Sequence, residues 1–321
     1  MNTYYHSLSD ELKKQFGEKI YKISLDAGCT CPNRDGTIGF GGCIFCSEGG
    51  SGDFAEKITD INADNISAQI EAAKARVSSK ASSDKYIAYF QSFTNTYGDI
   101  GRLSSLYEAV ISRDDIVALS IGTRPDCLGP DVMRMLEKLN SIKPVWVELG
   151  LQTIHESTAI RIRRGYTLSV FEDAYQRLKS AGITVIVHAI LGLPGESLDD
   201  MRATVRYLAS LNPILDGVKL QLLHVLKNTD LATLYENGQA DIYDFSIDSY
   251  VNFVVELLSY FDSKTVIHRI TGDGPKALLL HPLWSANKKV VLNAFNKRFH
   301  EIYSLESLAN TAVTGNPTTL S

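Results

Sequence analysis

The stretch from Cys29 to Cys46 reads CTCPNRDGTIGFGGCIFC and holds four of the five cysteines in this chain of 321 residues. Cys43 and Cys46 are separated by two residues, a spacing that lets two thiolates turn toward one metal centre. The glycines of the stretch let the backbone pass close to a bulky ligand. Because the stretch follows a strand-like run at 19–26, we expect a thiolate-rich site at the end of the first strand.

Two kinds of metal site fit this loop. Four thiolates would form a closed structural zinc site, whereas three would hold a [4Fe–4S] cluster and leave its fourth iron open. Inert buried thiols are disfavoured, because four cysteines in one glycine-rich loop exceed what core packing needs. The position after the first strand favours the cluster, since α/β folds place their chemistry at that end of the sheet. Phe45 would then shield one side of a cofactor.

Strand-like and helix-like runs alternate along the chain, which predicts βαβ crossovers and a parallel sheet, either open or closed into a barrel. The predicted strands are 19–26, 85–90, 116–121, 145–151, 183–191 and 218–223. The predicted helices between them are 61–78, 103–112, 131–139, 156–163, 170–180 and 198–211.

The pattern beyond residue 223 is sparser, with a helix predicted over 249–261, a strand over 264–270 and a helix over 288–303. We therefore predict three parts of the chain. They are a core domain of residues 1–225, a C-terminal extension of residues 226–308 packed on it, and a flexible tail of residues 309–321.

Composition and charge argue against several classes of protein. The net charge of −5 argues against a basic field that attracts nucleic acid over the whole surface. No run approaches the roughly 20 apolar residues that span a bilayer, and the first residues lack an apolar signal segment. We expect a cytoplasmic protein without a membrane partner, in a compartment where thiols stay reduced.

Polar residues stand where several predicted strands end. Arg124 either binds a carboxylate or pairs with Asp126. Glu148 and Gln152 share one face of the fourth strand, and a charged Glu148 on an apolar strand needs a partner. The candidate partners for that carboxylate are Arg161, Arg163 and Arg164.

Further candidates follow on the fifth and sixth strands. His188 lies on an apolar strand, where a histidine is usually a hydrogen-bonded core residue, but it precedes a loop suited to the close approach of a ligand. Gln221 and His224 stand toward the end of the sixth strand and are candidates to face a substrate. Cys127 is predicted to be a buried thiol.

The order of motifs resembles the radical S-adenosylmethionine superfamily. Cys31 is followed by eleven residues, Cys43, two residues and Cys46, with aromatic Phe45 between the last two. The long first gap resembles the group related to the Elongator catalytic subunit. The motifs CPNRDG, YFQSFTNTY, IGTRPDCL, ELGLQT, RGY and HAILGLPGE resemble, in order, a bacterial family of that group over roughly residues 1–300.

This resemblance implies a partial (β/α)6 radical SAM barrel with a short α/β C-terminal extension. It implies a [4Fe–4S] cluster on Cys31, Cys43 and Cys46, with S-adenosylmethionine at the open iron. The residues that the resemblance places at S-adenosylmethionine are Phe45, Ser92, Thr94, Asn95, Thr123, Glu148, Gln152 and His188. The candidates for contact with the reacting substrate are Arg124, Gln221 and His224. Cys29 departs from the aromatic residue usual in the family and competes with Cys31 as a ligand.

The resemblance also implies an activity. It implies reductive cleavage of S-adenosylmethionine and hydrogen abstraction from the C5 substituent of a tRNA wobble uridine, with flavodoxin or ferredoxin as electron donor. The short extension favours trimming or rearrangement of an existing substituent over acyl addition. The candidate phosphate contacts are Arg161, Arg163 and Arg164, and Lys288, Lys289, Lys297 and Arg298. The alternatives are a radical enzyme acting on a small metabolite or a protein, and a zinc-stapled binding protein without catalysis.

Overall fold

A seven-stranded parallel sheet forms the body of the protein in a computed structural model that describes residues 4–50, 55, 63–79, 83–272 and 274–314. Its strand order is β1-β2-β3-β4-β5-β6-β8, and β7 and β9 form a small antiparallel ribbon. The strands are β1 (Tyr21–Leu25), β2 (Tyr86–Phe90), β3 (Ile116–Thr123), β4 (Val145–Gln152), β5 (Thr184–Leu191), β6 (Gly217–Leu222), β7 (Val225–Leu226), β8 (Val266–Arg269) and β9 (Leu279–His281). The predicted partial barrel of βα units is confirmed, and the predicted strand at 264–270 joins its sheet as a seventh member.

Helices connect the successive strands, as the alternating pattern predicted. The helices are α1 (Leu8–Phe16), α2 (Ala63–Val77), α3 (Ile100–Ile111), α4 (Pro130–Asn140), α5 (Glu156–Arg161), α6 (Leu168–Ser180), α7 (Leu198–Ala209), α8 (Asp230–Glu236), α9 (Ile247–Leu258) and α10 (Lys288–Thr314). The helices α1 and α8 were not predicted. The first two residues of the predicted helix 61–78 lie outside the described residues.

The unit formed by β5 and α7 shows why these segments fold as they do. Ser197 caps the helix, because its hydroxyl accepts from the backbone N–H of Asp200 while the Asp200 carboxylate accepts from the N–H of Ser197. The buried positions then recur at intervals of three and four residues, at Met201, Thr204, Val205 and Leu208. This stripe packs α7 against the sheet beside β5.

The C-terminal segment shares its core with the rest of the protein. β8 pairs with β6, and buried side chains of α9 and α10 such as Tyr250 and Phe295 belong to the same hydrophobic cluster as Val218 of β6. The free edge of β8 meets the N-terminal segment, where the backbone N–H of Ile267 donates to the carbonyl of His6. The predicted boundary at residue 225 therefore falls inside one continuous core.

The end of the chain is described only in part. α10 continues to Thr314, into the segment predicted as a tail, and residues 315–321 lie outside the described residues. Within the described ranges, no helix has both the length and the apolar character needed to cross a membrane.

A chain truncated to residues 1–225 should fail to fold on its own. The truncation removes β8, α9 and α10 and exposes the apolar surface that they cover. Size-exclusion chromatography and thermal melts followed by circular dichroism should show aggregation or the loss of a cooperative transition. A chain ending at Thr314 is the control and should melt like the full chain. A cooperative, monomeric 1–225 fragment would contradict the shared core.

Candidate active site

A cavity of about 210 Å³ opens at the carboxyl ends of the parallel strands. Strands β2 to β6 and β8 contribute side chains to its wall, and the cysteine-rich loop after β1 completes it. This is the end at which parallel α/β folds carry chemistry. The predicted site residues that line the cavity are Cys31, Cys43, Phe45, Cys46, Thr94, Thr123, Arg124, Glu148, Gln152, His188, Gln221 and His224.

Two predicted cofactor contacts, Ser92 and Asn95, are not among the residues that line the cavity. The side-chain amide of Asn95 donates to the carbonyls of Phe90 at 3.0 Å and Gly122 at 2.9 Å, so it ties the ends of β2 and β3 together. Ser92 is buried, and its hydroxyl has no hydrogen-bond partner within the part of the chain that the structure describes. In the structure, Asn95 therefore connects two strands and is not among the residues that line the cavity.

Arg34 holds the C-terminal end of the cysteine loop in place. Its guanidinium lies 5.3 Å from the centre of the Phe93 ring. A Cβ at Gly50 would lie 2.3 Å from that ring, and the φ of Gly50 is +56°, so the close approach requires glycine. The acceptors of the Arg34 guanidinium are the carbonyls of Cys46, Ser47 and Glu48, at 3.2, 2.5 and 3.3 Å. These contacts hold the loop over the cavity.

Asn33 holds the N-terminal part of the cysteine loop in place. Its side-chain amide donates to the carbonyl of Arg163 at 2.5 Å and lies 3.7 Å from the Cys43 sulfur. A hydrogen bond from the Cys46 thiol lowers the pKa of Cys43 to about 7, against the effect of burial. Arg124 contributes to this shift by its positive charge. Cys43 thus has thiolate character, whereas the hydrogen bond to Cys43 and burial raise the pKa of Cys46 well above its ordinary value.

The other two cysteines lie elsewhere. Cys29 and Cys127 line a second cavity together with Arg102 and the opposite side of the cysteine loop. Burial raises the pKa of Cys29 to about 11 and that of Cys127 to about 12, so both are protonated thiols at neutral pH. Cys31, unlike Cys29, lines the same cavity as Cys43 and Cys46.

A buried ion network lies in the wall of the cavity around Glu148, whose side chain is fully buried. Its Oε1 accepts from Lys22 Nζ at 2.6 Å and from the Ser120 hydroxyl at 2.7 Å. Its Oε2 accepts from His188 Nε2 at 2.8 Å and from Lys219 Nζ. The arginines predicted as its partners are not bonded to it. Lys22, Ser120, Glu148, His188 and Lys219 come from β1, β3, β4, β5 and β6 and so link five strands.

The network fixes the charge of its members. Burial by itself would raise the pKa of Glu148, but Lys219, Lys22 and His188 hold it well below its ordinary value. Burial lowers the pKa of His188 to about 4, so its ring is neutral at pH 7. A neutral ring that donates from Nε2 has an acceptor at Nδ1. His188 therefore enters the site as an oriented, uncharged imidazole.

Arg124 and its neighbours form a rigid corner of the site. The Arg124 guanidinium donates to Asp126 through Nε at 2.9 Å and Nη2 at 2.7 Å, and through Nη1 to the carbonyl of Arg164 at 2.9 Å. Both Arg124 and Arg164 lie against the face of Tyr166. Of the two predicted roles for Arg124, the structure shows the pair with Asp126.

The predicted basic patch after β4 is neutralised or buried. Arg161 pairs with Asp241 at 2.7 Å, and Arg163 pairs with Asp230. Arg164 is buried and donates to backbone carbonyls after β4. This cluster is consequently not a free phosphate-binding surface.

Strained backbone brings two side chains to the cavity. Phe93 and Gln152 have φ angles of +57° and +65°, which residues other than glycine rarely adopt. The Tyr166 hydroxyl donates to Gln152 Oε1 at 2.9 Å, which fixes the direction of that side chain. Such strain persists where the surrounding contacts impose it, and it is concentrated at functional sites.

Sequence reasoning missed part of this wall. Tyr89 and Arg269 line the cavity, Lys22 and Lys219 bond to Glu148 without lining it, and none of the four was predicted. The signal was present, because Lys219 and Gln221 alternate along β6 in the same way as Glu148 and Gln152 along β4. A search of every strand for same-face polar residues would have found Lys219.

The site and fold match a family model. The Radical SAM superfamily matches residues 31–208, which is more than half of the chain, and the Radical_SAM C-terminal domain matches residues 215–301. This chain belongs to the radical SAM superfamily. Within the superfamily, the Bacillus subtilis protein YtqA is 45% identical over 293 residues, which cover 91% of this chain and 88% of YtqA.

More distant relatives link this radical SAM protein to Elongator, as predicted. Elongator complex protein 3 of Drosophila melanogaster is 28% identical over 172 residues, which cover 52% of this chain and 30% of that protein. The structure of Methanocaldococcus infernus Elp3, lacking its N-terminus, superposes with a TM-score of 0.57 at 21% identity. The superposition covers 74% of this chain and 59% of the archaeal one, and it supports the shared fold.

Superfamily membership implies a [4Fe–4S] cluster and S-adenosylmethionine, and the donor set fits them. Cys31, Cys43 and Cys46 place three thiols on one loop that lines an open cavity, a donor set that could hold such a cluster. Among the described residues, no three Cys, His, Asp or Glu side chains form a group that could hold a single metal ion.

Replacing Glu148 with Gln should cost about 3–5 kcal/mol of stability, because it leaves Lys22 and Lys219 buried without their counter-charge. Urea unfolding measures this loss. Glu108→Gln is the matched control. Its carboxylate pairs with Lys138 at the surface, where the expected cost is below about 1 kcal/mol. Equal losses in the two variants would contradict the central place of Glu148.

Proposed function

We propose that this radical SAM protein holds a [4Fe–4S] cluster on Cys31, Cys43 and Cys46 and uses it to cleave S-adenosylmethionine and abstract a hydrogen atom from a substrate. One observation carries the proposal. These three thiols, and none of the other cysteines, line the cavity that the polar strand-end residues line. Cluster and S-adenosylmethionine together would supply a 5′-deoxyadenosyl radical, whose use requires a site that positions one C–H bond.

The chain's own residues would bind and orient S-adenosylmethionine. Thr94, Thr123 and Gln152 line the side of the cavity formed by β2, β3 and β4 and offer hydroxyl and amide groups to the methionine part of S-adenosylmethionine. Phe45 would cover one face of the cofactor and exclude water. Both carboxylate oxygens of Glu148 are already bonded, so we assign it the positioning of His188 rather than direct contact.

For the substrate we propose RNA, at the C5 substituent of a tRNA wobble uridine. The proposal rests on the resemblance of the strand-end motifs to the Elongator-related group. A wobble base lies in a single-stranded loop and can be splayed into a pocket. Gln221 and His224, on the β6 side of the cavity, are the residues that we expect to face it.

Cysteine variants test the radical chemistry. The protein is reconstituted anaerobically with iron and sulfide, reduced with dithionite in the presence of S-adenosylmethionine, and assayed for 5′-deoxyadenosine. Formation should be lost in Cys31→Ala, Cys43→Ala and Cys46→Ala, because each removes one cluster ligand. It should survive in the matched controls Cys29→Ala and Cys127→Ala, whose thiols line the other cavity. Stoichiometric zinc without a cluster would overturn the proposal.

Mass spectrometry of tRNA nucleosides tests the substrate. Bulk tRNA from a strain that lacks this protein is incubated with the reconstituted enzyme, S-adenosylmethionine and reductant, and then digested. The expected result is a mass change in a modified uridine from the wobble position, absent with the Cys43→Ala enzyme. Formation of 5′-deoxyadenosine without any changed nucleoside would instead favour a metabolite or protein substrate. Replacing dithionite with reduced flavodoxin or ferredoxin in the same assay tests the electron donor.

A further inference from the structure

The charges around Glu148 are unevenly paired. Glu148 and Arg269 line the cavity, whereas Lys22 and Lys219, which bond to Glu148, do not line it. We call these four residues the charged floor. Arg269 ends β8 and is the register partner of Lys219 on β6, so the two residues are neighbours at one edge of the sheet. Lys22 already pairs with Glu148, and burial lowers the pKa of Lys219 to about 7. Arg269 is therefore left as a cation without a counter-charge among the described residues, in a site partly shielded from water, which is a costly arrangement unless an anion joins it.

Arg269 differs from the other arginines that line the cavity. Arg34, Arg124 and Arg164 each donate to carbonyl or carboxylate oxygens of the protein. The side chain of Arg269 is half-buried and makes no hydrogen bond or ion pair with any residue in the described ranges. The positive charge of Arg269 nevertheless acts on the charged floor and its neighbour, because it helps to lower the pKa of His188 and that of Lys219.

The remaining donors on this edge suit an oxyanion. A guanidinium presents its N–H groups as a planar fork that matches a carboxylate or a phosphate. Lys219 Nζ donates to Glu148 and to the Tyr89 hydroxyl, the latter at 3.2 Å, which uses two of its three donors. The guanidinium fork of Arg269 is thus available at the cavity, and Lys219, which does not line the cavity, lies beside it.

We propose that Arg269 binds an oxyanion of the substrate, either a carboxylate or a phosphate. The assignment to the substrate rests on the proposed function. The groups offered to S-adenosylmethionine belong to β2, β3 and β4, whereas β8 is the opposite edge strand of the sheet and lies beyond β5 and β6. The oxyanion would anchor the substrate against the β6–β8 edge, across the cavity from the residues that hold the cofactor.

Small anions probe this site directly. The reconstituted enzyme, saturated with S-adenosylmethionine, is titrated with sodium acetate or sodium phosphate at constant ionic strength, and the unfolding temperature is recorded. We expect a saturable rise with at least one of the two anions. The anion concentration at half-effect should rise at least tenfold in Arg269→Gln and less in Arg269→Lys, which keeps the charge but loses the fork.

The matched control is Arg134→Gln, which makes the same charge change at an exposed site paired with Asp131. It should leave the half-effect concentration unchanged. Saturable binding of acetate assigns a carboxylate and saturable binding of phosphate assigns a phosphate, and both support the proposal. Equal half-effect concentrations in Arg269→Gln and the wild type would overturn it.

One further outcome would overturn the proposal. It is anion binding seen only without S-adenosylmethionine, which would assign the site to the cofactor's own carboxylate. The readout is an unfolding temperature rather than turnover, so the anion site and the proposed function can fail separately. If 5′-deoxyadenosine forms without anion binding, only the anion site is contradicted. If an anion binds but no 5′-deoxyadenosine forms, only the proposed function is contradicted.

Discussion

The carboxylate of Glu148 is the constraint around which the interior of the sheet is arranged. A charge with no exposed surface cannot remain ionised inside a protein unless cations and hydrogen-bond donors surround it. Lys22, Ser120, His188 and Lys219 supply them, each from a different strand. The carboxylate therefore joins five strands through side chains, in addition to the backbone ladder that joins neighbours.

The two faces of the sheet therefore have different surroundings. The outer face of the sheet packs apolar side chains against the helices, as at Val205 of α7. The inner face carries ion pairs and ends in an open cavity that three thiols of the cysteine loop help to line. An apolar interior would have been easier to stabilise, since buried ion pairs contribute little net stability. Their retention here is understandable if they orient groups for chemistry, as with the neutral ring of His188.

The sequence predicted what depends on local pattern. The six core strands, their crossover helices and the cysteine loop followed from periodicity and spacing, because these signals lie within a few residues of one another. The partners of Glu148 were missed, since they depend on which strands become neighbours. The arginines suggested for it are close in sequence, but Arg161 and Arg163 pair with surface aspartates, and the buried Arg164 donates to backbone carbonyls. Asn95 was misplaced for the same reason, because its role is to join the ends of two strands.

The seventh strand shows how fold and site depend on each other. β8 was predicted within an extension packed on the barrel, and its sequence gives no sign of a neighbour. Pairing with β6 makes it part of the sheet and sets Arg269 beside Lys219 at the edge of the cavity. A barrel ending at β6 would leave Lys219 facing an open edge, where water would weaken its attraction to Glu148. The C-terminal segment is therefore a wall of the site, and the charge balance of the cavity is set by residues from both ends of the chain.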